Sequence, residues 1–271
     1  MFPIGDDNDT QRGTAWLTFG LIAVNVLVFV FVQGFGRNDG VIASLAAVPA
    51  EILSGKDLAS EARRVLDPYS GRTYLLPGLA VTPIPVLLTI LSSLFLHGSL
   101  GHLVGNMLFL GIFGDNVESR IGRVRFLFLY IVAGIAGALT QVAVSAMSGS
   151  GLYSPMVGAS GAMSGIMGAY LVLFPGNRIY VLLLGFIPTA LSAWLVIGAW
   201  FLMQLGGGLA GPTSGGVAIG KVAYAAHIGG FLLAWLWARV YKRKEAKILE
   251  KLKAERLRSG SADGVAWTIL D

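Results

Sequence analysis

Cysteine is absent from the 271-residue chain. That excludes disulfides, CxxC redox motifs, thiolate metal sites and a cysteine nucleophile. Charge is scarce: Asp, Glu, Lys and Arg make up 13% of the residues, against about 25% in a soluble domain. With 55% hydrophobic residues and a mean hydropathy of +0.71, too little polar surface remains to coat a globule, which excludes a water-soluble enzyme. Histidine occurs only at His97, His102 and His227. What is abundant is glycine, 37 residues, which suits membrane helices whose backbones approach closely. The net charge is +5 and the pI near 9.6. Nine of the twenty basic residues fall between Arg239 and Arg258, so the basicity is local and does not point to nucleic acid.

A bilayer core of about 30 Å needs roughly 20 apolar residues in a helix. Residues 15–32 form the first such run, and without a small-residue cleavage pattern after it they read as a retained helix rather than a signal peptide. Residues 100–117, 126–147, 160–174, 179–205 (interrupted by Pro188) and 222–240 supply five more. Residues 86–96 are apolar but too short to cross unless they join the second run. The expected fold is an all-α membrane protein, a polytopic bundle of six transmembrane helices, with seven as the alternative. The organisation is a cytoplasmic segment at 1–14, a transmembrane domain at 15–241 with a long outer loop at about 34–85, and a basic cytoplasmic tail at 242–271. Within the loop, residues 59–65 suit a short surface helix. Residues 243–258 suit an amphipathic basic helix, read either as a solvated stop-transfer tail or as a dock for anionic headgroups.

Orientation follows from the positive-inside rule. With both termini inside, fourteen basic residues fall on the inner segments and six on the outer ones. Arg120, Arg123 and Arg125 in one short turn weigh most.

Polar groups inside a membrane are costly and mark function. His102 and Asn106, four apart, share one helical face in the outer third of the second span. If that helix is continuous, His97 points elsewhere. Ser160 opens the fourth span in Gly158-Ala159-Ser160-Gly161, where free backbone N–H groups and the helix dipole favour an oxyanion beside the hydroxyl. His227 lies about five residues into the sixth span, roughly 7–8 Å deep, followed by Gly229 and Gly230, which permit close packing. Three segments distant in sequence thus bring polar residues to one depth. No Asp or Glu shares it: Asp115 lies about 20 Å below His102. If the fourth and sixth spans pack through their glycine faces, Ser160 and His227 form a Ser–His dyad, with the His227 tautomer set by packing or a backbone group.

These residues resemble the rhomboid family of intramembrane serine proteases over about residues 94–241. His97, His102 and Asn106 match the family's second-helix pattern, and Gly114-x-x-x-Glu118-x-x-x-Gly122 matches its end. Gly158-Ala159-Ser160-Gly161 with Gly165 and Gly168 matches the nucleophile helix, and Ala226-His227-x-Gly229-Gly230 the general-base helix. The resemblance implies Ser160 as nucleophile, His227 as general base, and an oxyanion hole of His102, Asn106 and the Ser160 N–H. His97, Gly158, Gly161, Glu118, Gly229 and Gly230 become supporting residues. It also implies transmembrane or membrane-anchored protein substrates cut near the outer face through an acyl-enzyme, without cofactor or metal. A mobile cap at 206–220 and a prokaryotic plasma membrane are further expectations. Two positions depart from the pattern. Leu88 and Thr89 stand where many bacterial relatives have Trp-Arg, and Ser164 stands where some have an aromatic under the histidine. The competing class is a catalytically inactive relative that binds membrane-protein clients. A zinc site on the three histidines lacks HExxH and a nearby carboxylate, an aspartyl protease lacks a second intramembrane aspartate, and a transporter lacks a charge midway across any span.

Overall fold

The computed structural model describes residues 2–7, 13–66, 73–76, 78–209 and 223–259. Parts of the expected N-terminal segment (8–12), outer loop (67–72 and 77), cap and start of the sixth span (210–222) and basic tail (260–271) lie outside these residues.

A helix apolar on every side must be buried on every side. Helix α7 (Ser160–Leu173), as numbered in chain order below, is of this kind: each residue from Gly161 to Tyr170 is buried. The chain begins with strand β1 (Phe2–Asp6) and helix α1 (Trp16–Leu27), which runs on as a π-turn to Val32. Short helices α2 (Asp39–Leu45) and α3 (Pro49–Ser54) and the hairpin of β2 (Arg63–Leu66) and β3 (Thr73–Leu76) fill the outer loop. After α4 (Thr89–Ser93) come α5 (Leu100–Ile121) and α6 (Arg123–Ser148). Beyond α7 lie strands β4 (Arg178–Leu183) and β5 (Ile187–Ser192), then α8 (Ala193–Leu209) and α9 (Tyr224–Ser259). Helices α5, α6, α8 and α9 surround α7, and α7 with α9 make the most extensive helix contact.

That contact depends on missing side chains. A Cβ on Gly137 would meet the Ala226 carbonyl at 2.6 Å and the Gly161 Cα at 3.2 Å. One on Gly168 would meet the Phe231 Cα at 3.3 Å. Helices α6, α7 and α9 therefore touch backbone to backbone, as close-packed membrane helices do.

Several expectations change. Residues 179–192 are not the first half of a helix but an antiparallel hairpin, and α8 begins only at Ala193. Pro188 removes a helical donor, Ile179 and Val181 alternate inward against an exposed Tyr180, and Leu184 and Gly185 hold the positive φ of a tight turn. Strand β1 completes a three-stranded sheet in the order β1-β4-β5, so the fold is mainly helical rather than wholly so. Residues 59–65 are extended rather than helical, with β2 pairing with β3. The apolar run at 86–96 forms a single 3-10 turn and the five-residue α4, too short to cross. A non-helical stretch ending at the extended residue Ser99 (φ −164°, ψ 162°) separates it from α5. The sixth span and the first part of the basic tail are one 36-residue helix, α9. Among the described residues α6 alone is both long and apolar enough to cross a bilayer unaided. The runs Trp16–Val32, Ser160–Leu173 and Ala193–Gly208 are apolar but shorter.

Two polar junctions fix the end of the bundle remote from Ser160. Glu118 caps α1 by accepting from Leu17 N (3.0 Å), Thr18 N (2.7 Å) and Thr18 Oγ1 (2.8 Å). Strand β1 brings Asp6 against α5 and α7, where its carboxylate accepts from Asn116 Nδ2 (2.8 Å) and from the Tyr170 hydroxyl. Burial, reinforced by the nearby Asp115 and Asp7, pushes the Asp6 carboxyl up to about 7.

Candidate active site

Ser160 is the first residue of α7, and its N-cap, Ala159, makes no side-chain capping bond. The first-turn amides are therefore without intrahelical partners. The entry loop is pinned by Gly158 N donating to Ser93 O at 2.9 Å. Gly158 adopts φ +126°, open to glycine, and a Cβ there would meet His102 Nε2 at 2.8 Å and Ser160 Oγ at 3.6 Å. The missing side chain is thus the space in which the His102 ring and the serine hydroxyl come together. Ser164, one turn on, donates to the Ser160 carbonyl.

Helix α5 starts at Leu100 with Ser99 Oγ accepting from His102 N at 3.1 Å. Asn106 lies one turn further along the same face. It is buried, and its Nδ2 has no hydrogen-bond partner among the described residues. A buried amide donor left open costs about 1–3 kcal/mol, which makes it a donor in want of an acceptor. His97 lies before α5, not on it, so helical phase does not separate it from His102: their rings meet edge-on, centroids 5.2 Å apart. The His97 backbone is clamped from the first helix, with Gln33 Nε2 donating to His97 O (2.8 Å) and His97 N donating to Gln33 Oε1 (2.9 Å). Both His97 ring nitrogens are buried without partners.

His227 is buried, and its Nδ1 lies 2.7 Å from Gln204 Oε1 on α8. An amide oxygen only accepts, so this bond requires the tautomer protonated at Nδ1, which leaves the Nε2 lone pair free. The tautomer is set by a side chain, not by packing or a backbone group. The Trp200 ring lies 6.0 Å from the imidazole, tilted by 32°. It supplies the aromatic neighbour that Ser164 does not. Gln204 and Trp200 escaped the sequence reading. The available signal was an amide inside an otherwise apolar helix, a costly placement that calls for a partner.

The structure brings Gly158, Ser160 and His102 together and packs Gly161 and Gly230 at the α7–α9 crossing. Gly229 faces Thr140 and the Ala136 carbonyl on α6. Glu118 is not in this group; it lies sixteen residues, about 24 Å of helix, beyond His102. Among the described residues no group of histidine and carboxylate side chains is spaced to hold a metal ion.

The family model described as Rhomboid domain matches residues 86–244. The chain is similar to Rhomboid protein 1, mitochondrial, of Saccharomyces cerevisiae, 31% identical over 172 residues that cover 64% of this chain and 46% of that protein. It is similar to Rhomboid protease GluP of Bacillus subtilis, 31% identical over 143 residues, 53% of this chain and 24% of that protein. It is also similar to presenilin-associated rhomboid-like protein, mitochondrial, of Bos taurus, 31% identical over 153 residues, 56% of this chain and 37% of that protein. Each match spans less than half of the relative's length. Two of these three relatives are named as mitochondrial, which conflicts with the expected prokaryotic plasma membrane.

Proposed function

The chain belongs to the rhomboid family of integral membrane proteins, and we propose that it is an intramembrane serine endopeptidase acting through Ser160 and His227. The observation that carries this reading is the His227–Gln204 bond, since a general base must present a free lone pair and this bond leaves one at Nε2. His227 Nε2 takes the Ser160 proton as Oγ bonds to the scissile carbonyl carbon. The carbonyl oxygen gains the negative charge and receives donors from Asn106 Nδ2, the His102 ring and the first-turn amides of α7. Collapse breaks the C–N bond, and the departing amine takes the proton from Nε2. Water, deprotonated by the same nitrogen, then attacks the acyl carbon, and the proton passes from Nε2 to Ser160 Oγ as the acyl group leaves as a carboxylic acid. Nδ1 keeps its proton on Gln204 throughout.

Six membrane crossings, both termini on the cytoplasmic side, and cleavage of membrane-anchored substrates near the outer face complete the proposal. Helices of the length of α7 cross only inside a bundle, and α7 is ringed by its neighbours. The position of Ser160 at the start of this buried helix supports chemistry below the membrane surface, with an open helix terminus for the oxyanion.

Fluorophosphonate labelling of the protein in liposomes, together with cleavage of a transmembrane reporter, tests this. Parent protein is expected to label and cleave, and Ser160→Ala and His227→Ala to do neither while keeping their thermal melts. Asn106→Ala should retain labelling and lose about 10²–10³ in rate, as removal of one oxyanion donor does. Equal cleavage by Ser160→Ala and the parent would sink the mechanism. Reporter binding without cleavage by a folded parent would favour the client-binding alternative.

A further inference from the structure

The middle of α9, beginning twelve residues beyond His227, carries a concave site. A cleft of about 300 Å³ is lined by Val172 of α7 and by Arg239, Lys242, Arg243 and Ala246 of α9. Lys242 Nζ donates to the Val172 carbonyl at 3.0 Å, which ties the cleft's two walls together. The Arg239 guanidinium lies over the Trp235 ring, 4.6 Å from its centroid. Among the described residues neither arginine pairs with a carboxylate. The acid nearest in sequence, Glu245, is held by Arg120, with Arg120 Nη1 and Nη2 each donating at 2.6 Å.

At 3.6 residues per turn, Leu232, Trp235, Leu236, Arg239, Lys242, Arg243 and Ala246 fall within about 120° of one helix face. Leu232 and Leu236 are 42% and 57% exposed, and the three cations are exposed as well. One face therefore changes from bare aliphatic to aromatic to cationic within about 17 Å of helix. That order matches acyl chain, interface and headgroup in a leaflet.

We propose that this cleft binds one anionic glycerophospholipid, with its phosphate between Arg239, Lys242 and Arg243 and an acyl chain along Leu236 and Leu232. Arginine offers forked donors to phosphate oxygens, and Lys242 adds a point charge. A free phosphate would satisfy the same cations but would leave the aliphatic stripe uncovered. The site needs only a bilayer around α9 and is independent of the chemistry at Ser160.

Native mass spectrometry of the detergent-solubilised protein, offered equal amounts of phosphatidylglycerol and phosphatidylcholine with the same chains, tests the assignment. The parent is expected to retain phosphatidylglycerol roughly tenfold or more over phosphatidylcholine, from two or three cations at the surface. Arg239→Gln/Arg243→Gln, or Arg243→Gln alone should the pair melt early, is expected to reduce that preference. Lys244→Gln/Lys251→Gln removes the same charge from a different face and is expected to preserve it. No preference in the parent, or equal loss in both double variants, would overturn the site. Displacement of the lipid by inorganic phosphate at matched concentration would instead identify a soluble-phosphate site and overturn the lipid assignment.

Discussion

A histidine accepts a proton only through a nitrogen whose lone pair is free, and at His227 the neighbouring Gln204 decides which nitrogen that is. Gln204→Leu removes the acceptor while keeping much of the volume. The expected result is a kcat lower by about tenfold to a hundredfold, short of the ~10²–10⁴ supplied by a positioned base, with little change in KM. Gln204→Asn, one methylene shorter, should recover part of the loss only if its oxygen still reaches Nδ1. Reporter cleavage over a substrate series separates kcat from KM, and a change confined to KM would mean that Gln204 contacts substrate instead. Ser160, His227, His102 and Asn106 could be proposed from the sequence because each is a polar residue in or at the start of an apolar run. Gln204 and Trp200 could not, since their relation to His227 depends on how α8 leans against α9. No spacing along the chain encodes that lean. For His97 the condition of a continuous helix is not met: the backbone at Ser99 is extended, so helical phase does not relate His97 to His102.

At the scale of elements, the glycines of α6, α7 and α9 act as the contact surface itself. Gly137→Ala places a methyl 2.6 Å from the Ala226 carbonyl and 3.2 Å from Gly161. It should therefore cost about 1–3 kcal/mol, the usual penalty for overpacking. Gly198→Ala on α8 has nothing within 4 Å and should be neutral or slightly stabilising, by up to about 1 kcal/mol of helix propensity. Thermal melts in one detergent compare them directly. The helices at 100–117, 126–147 and 160–174 emerged from the sequence with ends close to the observed ones, because continuous apolar runs of that length admit few other folds. The hairpin at 179–192 did not, because an apolar run of six residues is equally good as a buried strand or as helix. Strand β1 escaped because its partner β4 lies more than 170 residues on. Its docking makes a pH prediction. Asp6 rises from 3.8 to about 7 through burial, so between those values the folded state holds a proton that the unfolded chain has released. Stability should fall as pH rises through that window and level off above it. Melts at pH 5 and pH 8 should show the drop in the parent and a flatter profile in Asp6→Asn.

For the molecule as a whole, the absence of cysteine makes sidedness easy to measure, since a single introduced thiol is the only one present. Lys244→Cys is expected to react with a membrane-impermeant maleimide only from the cytoplasmic side, and Ser54→Cys, in α3 of the outer loop, only from the opposite side. Labelling of both from one side would add or remove a crossing between them, whereas each labelling from the side opposite to that expected would reverse the orientation assigned from the basic residues. Helix α9 runs without interruption from Tyr224 to Ser259, with His227 near one tip and the Arg120–Glu245 bridge partway along. Eighteen residues separate His227 from Glu245, about 27 Å of helix. Between them Gly229 and Gly230 seat α9 directly on α6 and α7. That seat works as a bearing with almost no play, and about 1 Å of play at the imidazole would cost about a hundredfold in rate.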